Sequence, residues 1–257
     1  MMFTKEKHMT PIDVLLNHKT IREFKPSRMS PAHLSILIDV AKRTATSLGM
    51  QSFSMIRIVN PEVKKQIAQI CQQEYVGRLP ELFIFLVDCY RNVKIAEEQG
   101  ESIDNLCDAD WFLQGWTDAT LAAQNMAGAA ELGGFGTVFL GSILNDAPQL
   151  IELLHMPKYT FPVLGLGIGV ADQHPQLKPR MPRDMNVFDD TYDVVESYIE
   201  ALEEYDEEME EYYDLRDSNH SVGKFTAQIV KHSQQVNMKR KEVLKQAKQQ
   251  GFIFNME

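Results

Sequence analysis

The sequence predicts an α+β fold in which one mainly antiparallel sheet lies between helices. Apolar residues recur at helical spacing in several segments, and short apolar runs of strand length separate them. Residues 82–89 (LFIFLVDC) are one such run, and its continuity predicts a strand buried on both faces. The chain has 257 residues, of which 44% are apolar, so it is long enough to enclose a full core.

The individual elements follow from start signals and periodicity. Thr10-Pro11 and Ser30-Pro31 each place a capping hydroxyl before a proline, which is tolerated at the first helical position. The longest predicted helix carries on neighbouring turns Leu113, Trp116, Leu121, Ala122, Asn125, Met126 and Ala129. It also has small residues at 128–130, which allow another helix to approach, and a Gly-Gly end. In chain order we expect helices at 11–16, from 31 onward, and at 61–72, 110–132 and 146–155, with strands at 55–59, 82–89, 137–140 and 162–170.

Charge changes sharply near residue 184. Residues 184–215 contain 14 acidic residues and no Lys or Arg, whereas residues 216–257 contain 8 basic and 3 acidic residues. We therefore predict a core domain at 1–183 and a helical C-terminal extension at 184–257. In the extension we expect an acidic amphipathic helix from about residue 191 to 213 and two more helices. The apolar stripe of the acidic helix would be Val195, Tyr198, Ile199, Leu202 and Tyr205, and the later helices would span about 224–232 and 238–249.

Composition argues against several classes of protein. The net charge of -10 offers no basic face for a general nucleic-acid binder. The three cysteines are odd in number and widely spaced, which suits a reducing, cytoplasmic compartment. No apolar run is long enough for a membrane span, and the N-terminus lacks the apolar region of a signal peptide. The histidines and cysteines have no metal-ligand spacing, and no nucleophile motif is present, so we expect neither a metal site nor a catalytic side chain.

The most informative pair of segments is NHKTIREF at 17–24 and Lys178-Pro179-Arg180. In the first, Arg22 is a natural bidentate partner for a phosphate, and Thr20 adds a hydroxyl donor, while Ile21 and Phe24 would face the core. In the second, the central proline holds two cations. Each segment alone also fits a purely structural role. The first could be a basic loop in which Arg22 pairs with a carboxylate, and the second could be a solvated loop. Together they predict that the two cationic segments bind one phosphate from two sides, and hence that the protein binds a phosphate-bearing cofactor.

Two glycine patterns need separate interpretations. Gly141-Ser142 follows a predicted strand, where a glycine lets backbone amides approach a flat ring or an anion, although a plain turn has the same sequence. The glycines at 165, 167 and 169 recur every second residue inside a strand and do not match G-x-G-x-x-G. We expect them to permit close helix packing on one sheet face instead of binding a dinucleotide.

The order of several short motifs resembles the oxygen-insensitive NADPH nitroreductases and flavin reductases. The resemblance runs from about residue 11 to 219, and the combination carries it more than any single motif. The motifs are N-H-x-x-I-R-x-F, Q-x-x-S-x-I-R-I, D-x-x-R, V-F-L-G-S, F-P-V-x-G, L-K-P-R-x-P and Y-Y-x-x-R-x-S-N.

That resemblance implies a three-layer nitroreductase-like sandwich and FMN bound without a covalent bond at the interface of a homodimer. The extension would wrap the partner subunit and cover the nicotinamide site. The implied FMN contacts are His18, Lys19, Thr20, Arg22, Ser47, Gln51, Gln73, Gly141, Ser142, Lys178 and Arg180. Arg216 and Lys224 are the implied NADPH contacts.

The sequence departs from the family pattern at several of these positions. Lys19 and Thr20 stand where the family usually has Arg and Ser, and Lys lacks the bidentate fork of Arg. The usual S-T-S-S run is here Ala45-Thr46-Ser47-Leu48, and Gly-Gly has become Gly141-Ser142.

The activity implied is an FMN-dependent NAD(P)H oxidoreductase with ping-pong kinetics. A hydride would pass from NADPH, or NADH, to N5 of the flavin and then to a nitroaromatic, quinone, azo or free flavin acceptor. Two other functions stay open at this point: a flavin-binding redox sensor or flavin store without turnover, and an interaction protein that uses the acidic helix.

Overall fold

A computed structural model describes residues 9–213, 221–235 and 237–254 of the chain. Contacts divide the chain into two compact units, one formed by residues 1–173 with 237–257 and the other by residues 174–236. The unit boundary at 173/174 lies ten residues before the change of charge at 184. The final segment belongs to the first unit because Ala247 and Phe252 are buried in its core and the ring of Phe252 lies 4.9 Å from that of Phe112.

The described part of the first unit contains four strands: β1 (Phe53–Arg57), β2 (Glu81–Asp88), β3 (Gly136–Leu140) and β4 (Thr160–Gly169). Its helices are α1 (Pro11–Leu16), α2 (Pro31–Lys42), α3 (Pro61–Cys71), α4 (Tyr90–Glu98), α5 (Ala109–Leu132), α6 (Ala147–Leu153), α10 (Met238–Lys241) and α11 (Val243–Gln249). The second unit contains α7 (Tyr198–Ala201), α8 (Glu203–Glu211) and α9 (Phe225–Gln234). Short 3-10 turns at Ser47–Gly49, Glu74–Arg78 and Gly141–Asp146 carry several candidate residues.

The four strands form one antiparallel sheet in the order β1-β2-β4-β3. Residues 81–87 of β2 are all buried, so both faces of the sheet are covered, since successive side chains of a strand point to opposite faces. Helix α5 packs against all four strands. These observations confirm the predicted α+β fold.

Most predicted helix starts are confirmed. The side chains of Thr10, Ser30 and Asn60 accept hydrogen bonds from the first turns of α1, α2 and α3. The predicted approach of a helix to the small residues of α5 is also observed, because a methyl group at Gly128 would lie 3.7 Å from Leu15 of α1. Strand β1 begins two residues earlier than predicted, at Phe53, and α4 was not predicted at all.

The predicted face of α5 is confirmed at Ala122 and Met126, which are buried, and wrong at Leu113 and Leu121. Phe112, Ala119 and Met126 are buried, whereas Leu113 and Leu121 are 61% and 46% exposed. The packed face is composed largely of alanine and glycine, because the close approach of α5 to the sheet leaves room only for small side chains. Of the large apolar residues of α5, Phe112 and Met126 lie on the packed face, whereas Leu113 and Leu121 stand on the opposite face.

The acidic segment is not one helix, and the prediction of a continuous helix at 191–213 was wrong. Regular helix begins only at Tyr198 and breaks at Leu202, whose φ of -110° and ψ of 12° leave the helical region. Tyr198 and Ile199 of the predicted stripe are exposed, whereas Leu202 and Tyr205 are buried together with Met209. The predicted helix at 238–249 likewise breaks at Glu242.

The strand glycines have packing roles, although not against a helix as predicted. A methyl group at Gly167 would come within 2.8 Å of Leu79, and one at Gly169 within 2.7 Å of Pro80 and 2.9 Å of Phe24. The segment that carries Phe24 therefore lies directly against the end of β4.

Candidate functional site

The segment that follows α1 is fastened along the β3–β4 edge of the sheet. Thr20 forms an isolated parallel bridge with Thr137, and the backbone N–H of Ile21 donates to the carbonyl of Thr137 at 2.8 Å. Ile21 is buried, and a methyl group at Gly136 would lie 2.7 Å from its side chain. As predicted, Ile21 faces the core. Its polar neighbours Lys19, Thr20 and Arg22 are half-buried.

A hydrogen-bonding contact with Glu131 positions His18 at the end of α5. His18 Nδ1 lies 2.7 Å from Oε1 of Glu131, whose side chain is only 12% exposed. The hydroxyl of Thr137 donates to the same carboxylate oxygen. Glu131 thus connects the last turn of α5 with β3 and with the segment that precedes Arg22.

A single amide oxygen holds the backbone at Arg22. The N–H groups of Arg22 and Glu23 both donate to Oε1 of Gln173, each at 2.6 Å. Farther along, the N–H of Lys25 donates to the carbonyl of Val170 at 2.9 Å. Within the described part of the chain, no carboxylate lies within ion-pair distance of the Lys19 ammonium.

Gln73 and Ser142 meet near the far end of β3. The Ser142 hydroxyl donates to Oε1 of Gln73 at 2.9 Å, and the Tyr75 hydroxyl donates to the same oxygen at 3.3 Å. Gly141, the first residue after β3, is exposed, and a methyl group there would point into open space. A cavity of about 580 Å³ opens beside Gln73.

These two groups are placed at opposite ends of one strand. Thr20 pairs with the second residue of β3, and Gly141 follows its last residue. Three to four residues of strand separate them, which corresponds to about 13 Å. The chain therefore places the His18–Arg22 segment and the Gln73–Ser142 pair along the same sheet edge.

The loop that carries Ser47 and Gln51 lies at the other edge of the sheet, where it enters β1. The N–H groups of Ser47 and Ser52 donate to the two carboxylate oxygens of Asp118, at 2.8 and 3.3 Å. The Gln51 carbonyl accepts from Arg91 at 2.6 Å. A second cavity, of about 770 Å³, opens beside Gln51.

One copy of the chain does not bring the two edges together. Three strand spacings separate β1 from β3, which is about 14 Å across the sheet, and the entry to β1 is displaced from Gly141 along the strands as well. Ser47 and Gln51 thus form a group separate from Gln73 and Ser142.

The other residues predicted to contact FMN or NADPH lie in the second unit, or outside the part of the chain that the structure describes. Lys178 and Arg180 are exposed, and Arg180 Nη1 donates to the carbonyls of Lys178 and Pro179 at 2.9 and 3.3 Å. Lys224 is exposed at the start of α9. Arg216 lies outside the described residues.

Perturbed pKa values occur near these groups. Burial raises the pKa of the Cys71 thiol, against an opposing effect of the Ser142 hydroxyl. In the second unit, burial raises the pKa of Tyr205, and the positive charge of Arg180 partly offsets it. Among the described residues, no three His, Cys, Asp or Glu side chains are placed to hold a metal ion, and no helix is long and apolar enough to span a membrane.

Four residues at these groups were missed by sequence reasoning: Asp118, Glu131, Gln173 and Tyr75. Asp118 was detectable in principle, since an acidic residue among the small residues of a helix face is unusual in a core. The other three carry no distinguishing pattern.

Comparisons with known proteins place the chain among flavin-linked reductases. Residues 178–255 match the profile described as "Nitroreductase family, C-terminal domain". An "NADPH-dependent oxidoreductase" of Staphylococcus saprophyticus is 34% identical over 245 residues, which cover 94% of this chain and 97% of that protein. An "FMN reductase (NADPH)" of Bacillus subtilis is 34% identical over 185 residues, 71% of this chain and 74% of that protein. The solved structure of the NfrA1 nitroreductase from B. subtilis superimposes with a TM-score of 0.87 at 30% identity, covering 95% of this chain and 99% of that one.

Proposed function

Because the chain belongs to the nitroreductase family of oxidoreductases, we propose that it is an NADPH-dependent enzyme whose FMN is held by the two groups of residues on the β3 edge. FMN, when bound, supplies the chemistry of accepting and donating a hydride. The protein binds and orients the reactants and stabilises the charge that develops on the ring.

The chemistry of the donors near the start of β3 supports a phosphate contact. Lys19 and Arg22 are cations on a backbone that β3 and Gln173 hold in place, and Thr20 adds a hydroxyl. Lys178 and Arg180 are exposed cations, and they stay proposed phosphate contacts on the strength of the sequence alone. A phosphate dianion carries the charge opposite to that of these side chains.

The residues near the far end of β3 support a contact with the flat ring. Gly141 leaves space in front of the strand end, and Gln73 offers an amide whose oxygen is already engaged by hydroxyl groups. The approximately 13 Å between the two ends of β3 is comparable to the extent of an extended ribityl phosphate attached to a ring.

We further propose that the working unit is a homodimer and that each pocket takes Ser47 and Gln51 from the second copy. Within one copy these residues lie on the opposite sheet edge. Large apolar side chains are exposed on α1 and α5, with Ile12 at 64%, Leu16 at 71% and Leu113 at 61%. Exposed apolar surface of this kind on adjacent helices is typical of an interface.

NADPH and the electron acceptor would occupy the same place in turn, which gives ping-pong kinetics. Lys224, and Arg216 outside the described residues, are the proposed contacts to the NADPH phosphate. Planar nitroaromatics, quinones and free flavin are the proposed acceptors, since a reduced flavin can pass a hydride to each of them.

The observation that carries the proposal is the placement of the His18–Arg22 segment and the Gln73–Ser142 pair along one strand. The test is anaerobic mixing of the purified FMN-loaded protein with NADPH, followed by the flavin absorbance. We expect rapid bleaching with NADPH and its recovery when a quinone is added. A flavin that stays yellow with both NADPH and NADH would identify a flavin store instead of an enzyme.

The homodimer has its own test. Light scattering on the eluting protein should give about twice the chain mass of 29.4 kDa. Leu16→Asp should shift the protein towards the monomer and release FMN, whereas Val59→Asp, at an exposed apolar residue outside α1 and α5, serves as a matched control. A wild-type protein that elutes as a monomer with FMN bound would contradict the shared pocket.

A further inference from the structure

The amide of Gln73 is held in one orientation by its neighbours. Its Oε1 accepts hydrogen bonds from two hydroxyl groups, Ser142 at 2.9 Å and Tyr75 at 3.3 Å. A carbonyl oxygen has two lone pairs, so both acceptor positions of this amide are used inside the protein. The Nε2 group, with its two hydrogens, has no acceptor among the described residues, so it is the part of the amide that remains available to a ligand.

The backbone around Gln73 adds to this orientation. The preceding residue, Gln72, has a left-handed φ of 54°, which ends α3 and turns the chain. Gln73 then stands at the entry of a 3-10 turn, and its own N–H donates to the carbonyl of Ala68 at 3.0 Å. The side chain is therefore half-buried and has little freedom to turn as a whole.

The protonation state of Cys71 affects which neighbour receives the hydrogen bond donated by the Ser142 hydroxyl. The thiol lies close to that hydroxyl and is only 2% exposed. A thiolate would attract the hydroxyl hydrogen away from Gln73. Burial raises the pKa of Cys71, so the sulfur stays a neutral thiol and a weak acceptor, and the hydrogen remains available to Gln73.

We propose that Ser142 is a positioning residue that turns the Nε2 hydrogens of Gln73 towards the bound FMN ring and thereby raises the reduction potential of the flavin. This inference rests on the proposed function and names a determinant of the same site. Ser142 acts through Gln73 and does not itself need to touch the ring.

The physical reason is charge. Reduction adds negative charge to the carbonyl edge of the ring, and a hydrogen-bond donor there is stronger towards the charged form than towards the neutral one. If the amide turned over, its carbonyl oxygen would face the same edge and repel that charge. An orientation fixed before the reaction avoids this cost.

The test measures the midpoint potential of the FMN-loaded protein against a reference dye. Ser142→Ala should weaken binding of the reduced ring relative to the oxidised ring by about tenfold, the usual value of one net hydrogen bond, which lowers the potential of a two-electron couple by about 30 mV. Ser142→Thr retains the hydroxyl and should retain most of the wild-type potential. An unchanged or raised potential in Ser142→Ala would overturn the inference.

A double-mutant cycle separates positioning from a direct effect. Gln73→Met removes the amide and should lower the potential by itself. Ser142→Ala added to Gln73→Met should cause no further change, and a further shift of the same size would show that Ser142 acts directly. If Ser142→Ala does not fold, Tyr75→Phe provides the same comparison with a smaller expected shift, and an unchanged potential in that variant would count against the proposal.

The outcomes also distinguish this inference from the proposed function. A wild-type protein that binds no FMN contradicts the proposed function itself. A protein that binds FMN and is bleached by NADPH, but whose potential does not respond to Ser142→Ala, contradicts only the role of Ser142.

Discussion

The carboxylate of Asp118, in the middle of α5, accepts a hydrogen bond from the backbone N–H of Ser47 at 2.8 Å. Its second oxygen accepts from the N–H of Ser52 at 3.3 Å, so one buried side chain holds both ends of the loop that enters β1. Inside this loop Leu48 and Gln51 have positive φ values of 52° and 51°, which non-glycine residues adopt only when their surroundings impose it. Asp118 therefore sets the shape of a loop that carries two proposed flavin contacts.

Asp118→Ala should lower the free energy of unfolding by about 1.5–3 kcal/mol, because it leaves the buried N–H of Ser52 and the half-buried N–H of Ser47 without their charged acceptor. FMN should also be bound more weakly. Urea unfolding and flavin titration measure the two effects. Gln124→Ala, at an exposed residue of the same helix, is the control and should change neither quantity appreciably. Full stability in Asp118→Ala would mean that the loop is held by other contacts.

Two glycines of α5 should respond in opposite ways to the same substitution. At Gly115 a methyl group would lie 2.6 Å from the Ser52 carbonyl and 2.7 Å from Val87, so Gly115→Ala should destabilise the protein by about 1–3 kcal/mol. At Gly128 the nearest atom is 3.7 Å away, so Gly128→Ala should stabilise it by about 0.5–1 kcal/mol through helix propensity. Thermal unfolding of the pair checks both signs. Equal effects at the two positions would show that the Ser52 carbonyl and Val87 can shift to make room for a methyl group at Gly115.

The elements predicted most accurately are those with strong local signals. The apolar run of β2 and the Asn60-Pro61 start of α3 placed both elements within one residue. Helix α4 was missed because it is short and largely polar, and only Val93 among its residues is buried. The break at Leu202 was missed because the acidic segment contains no Gly or Pro, and packing of Leu202 and Tyr205 in their own cluster overrides local propensity.

The candidate site divides in a similar way. His18, Lys19 and Arg22 could be identified as a set because they are close in sequence and share a chemistry. Asp118 and Glu131 could not be linked to their partners, which lie 71 and 113 residues away in the chain. Such pairings depend on tertiary structure, and a single sequence carries no local trace of them.

Replacing Glu131 should lower the free energy of unfolding. Glu131→Ala removes the partner of His18 and leaves the hydroxyl of the buried Thr137 without its acceptor, so we expect a loss of about 1–3 kcal/mol in unfolding free energy. Glu131→Gln retains an acceptor oxygen and should lose less. Urea unfolding measures the difference, and Glu98→Ala, at an exposed position of α4, is the control. A larger loss in Glu131→Gln than in Glu131→Ala would contradict this account.

The three cysteines should be unreactive in the native protein at pH 8. All are buried, and burial raises the pKa of each thiol, that of Cys89 to about 12. Because the thiolate is the reactive form, a disulfide reagent should label none of them quickly in buffer and all three in concentrated urea. Since the folded pKa of Cys89 lies above the ordinary value of 9.0, its protonated form stabilises the fold below about pH 9, and this contribution is lost as the pH rises towards 12. Fast labelling of Cys89 at pH 8 would show that its surroundings open readily.

Lys19 gives the sharpest test of the phosphate contact, because FMN and riboflavin differ only by the phosphate. The side chain is half-buried on a backbone fixed to β3, and the ammonium has no ion-pair partner among the described residues. Lys19→Ala should weaken FMN binding by about 1.5–3 kcal/mol, the usual value of a hydrogen bond to a charged group, and should leave riboflavin binding unchanged. Lys19→Arg should bind FMN at least as tightly as the wild type, since the guanidinium can contact two phosphate oxygens at once. Fluorescence titration of the apoprotein with each flavin gives the two affinities. An equal loss for both flavins would mean that Lys19 contacts the ring or the ribityl chain, and an unchanged FMN affinity would remove it from the site.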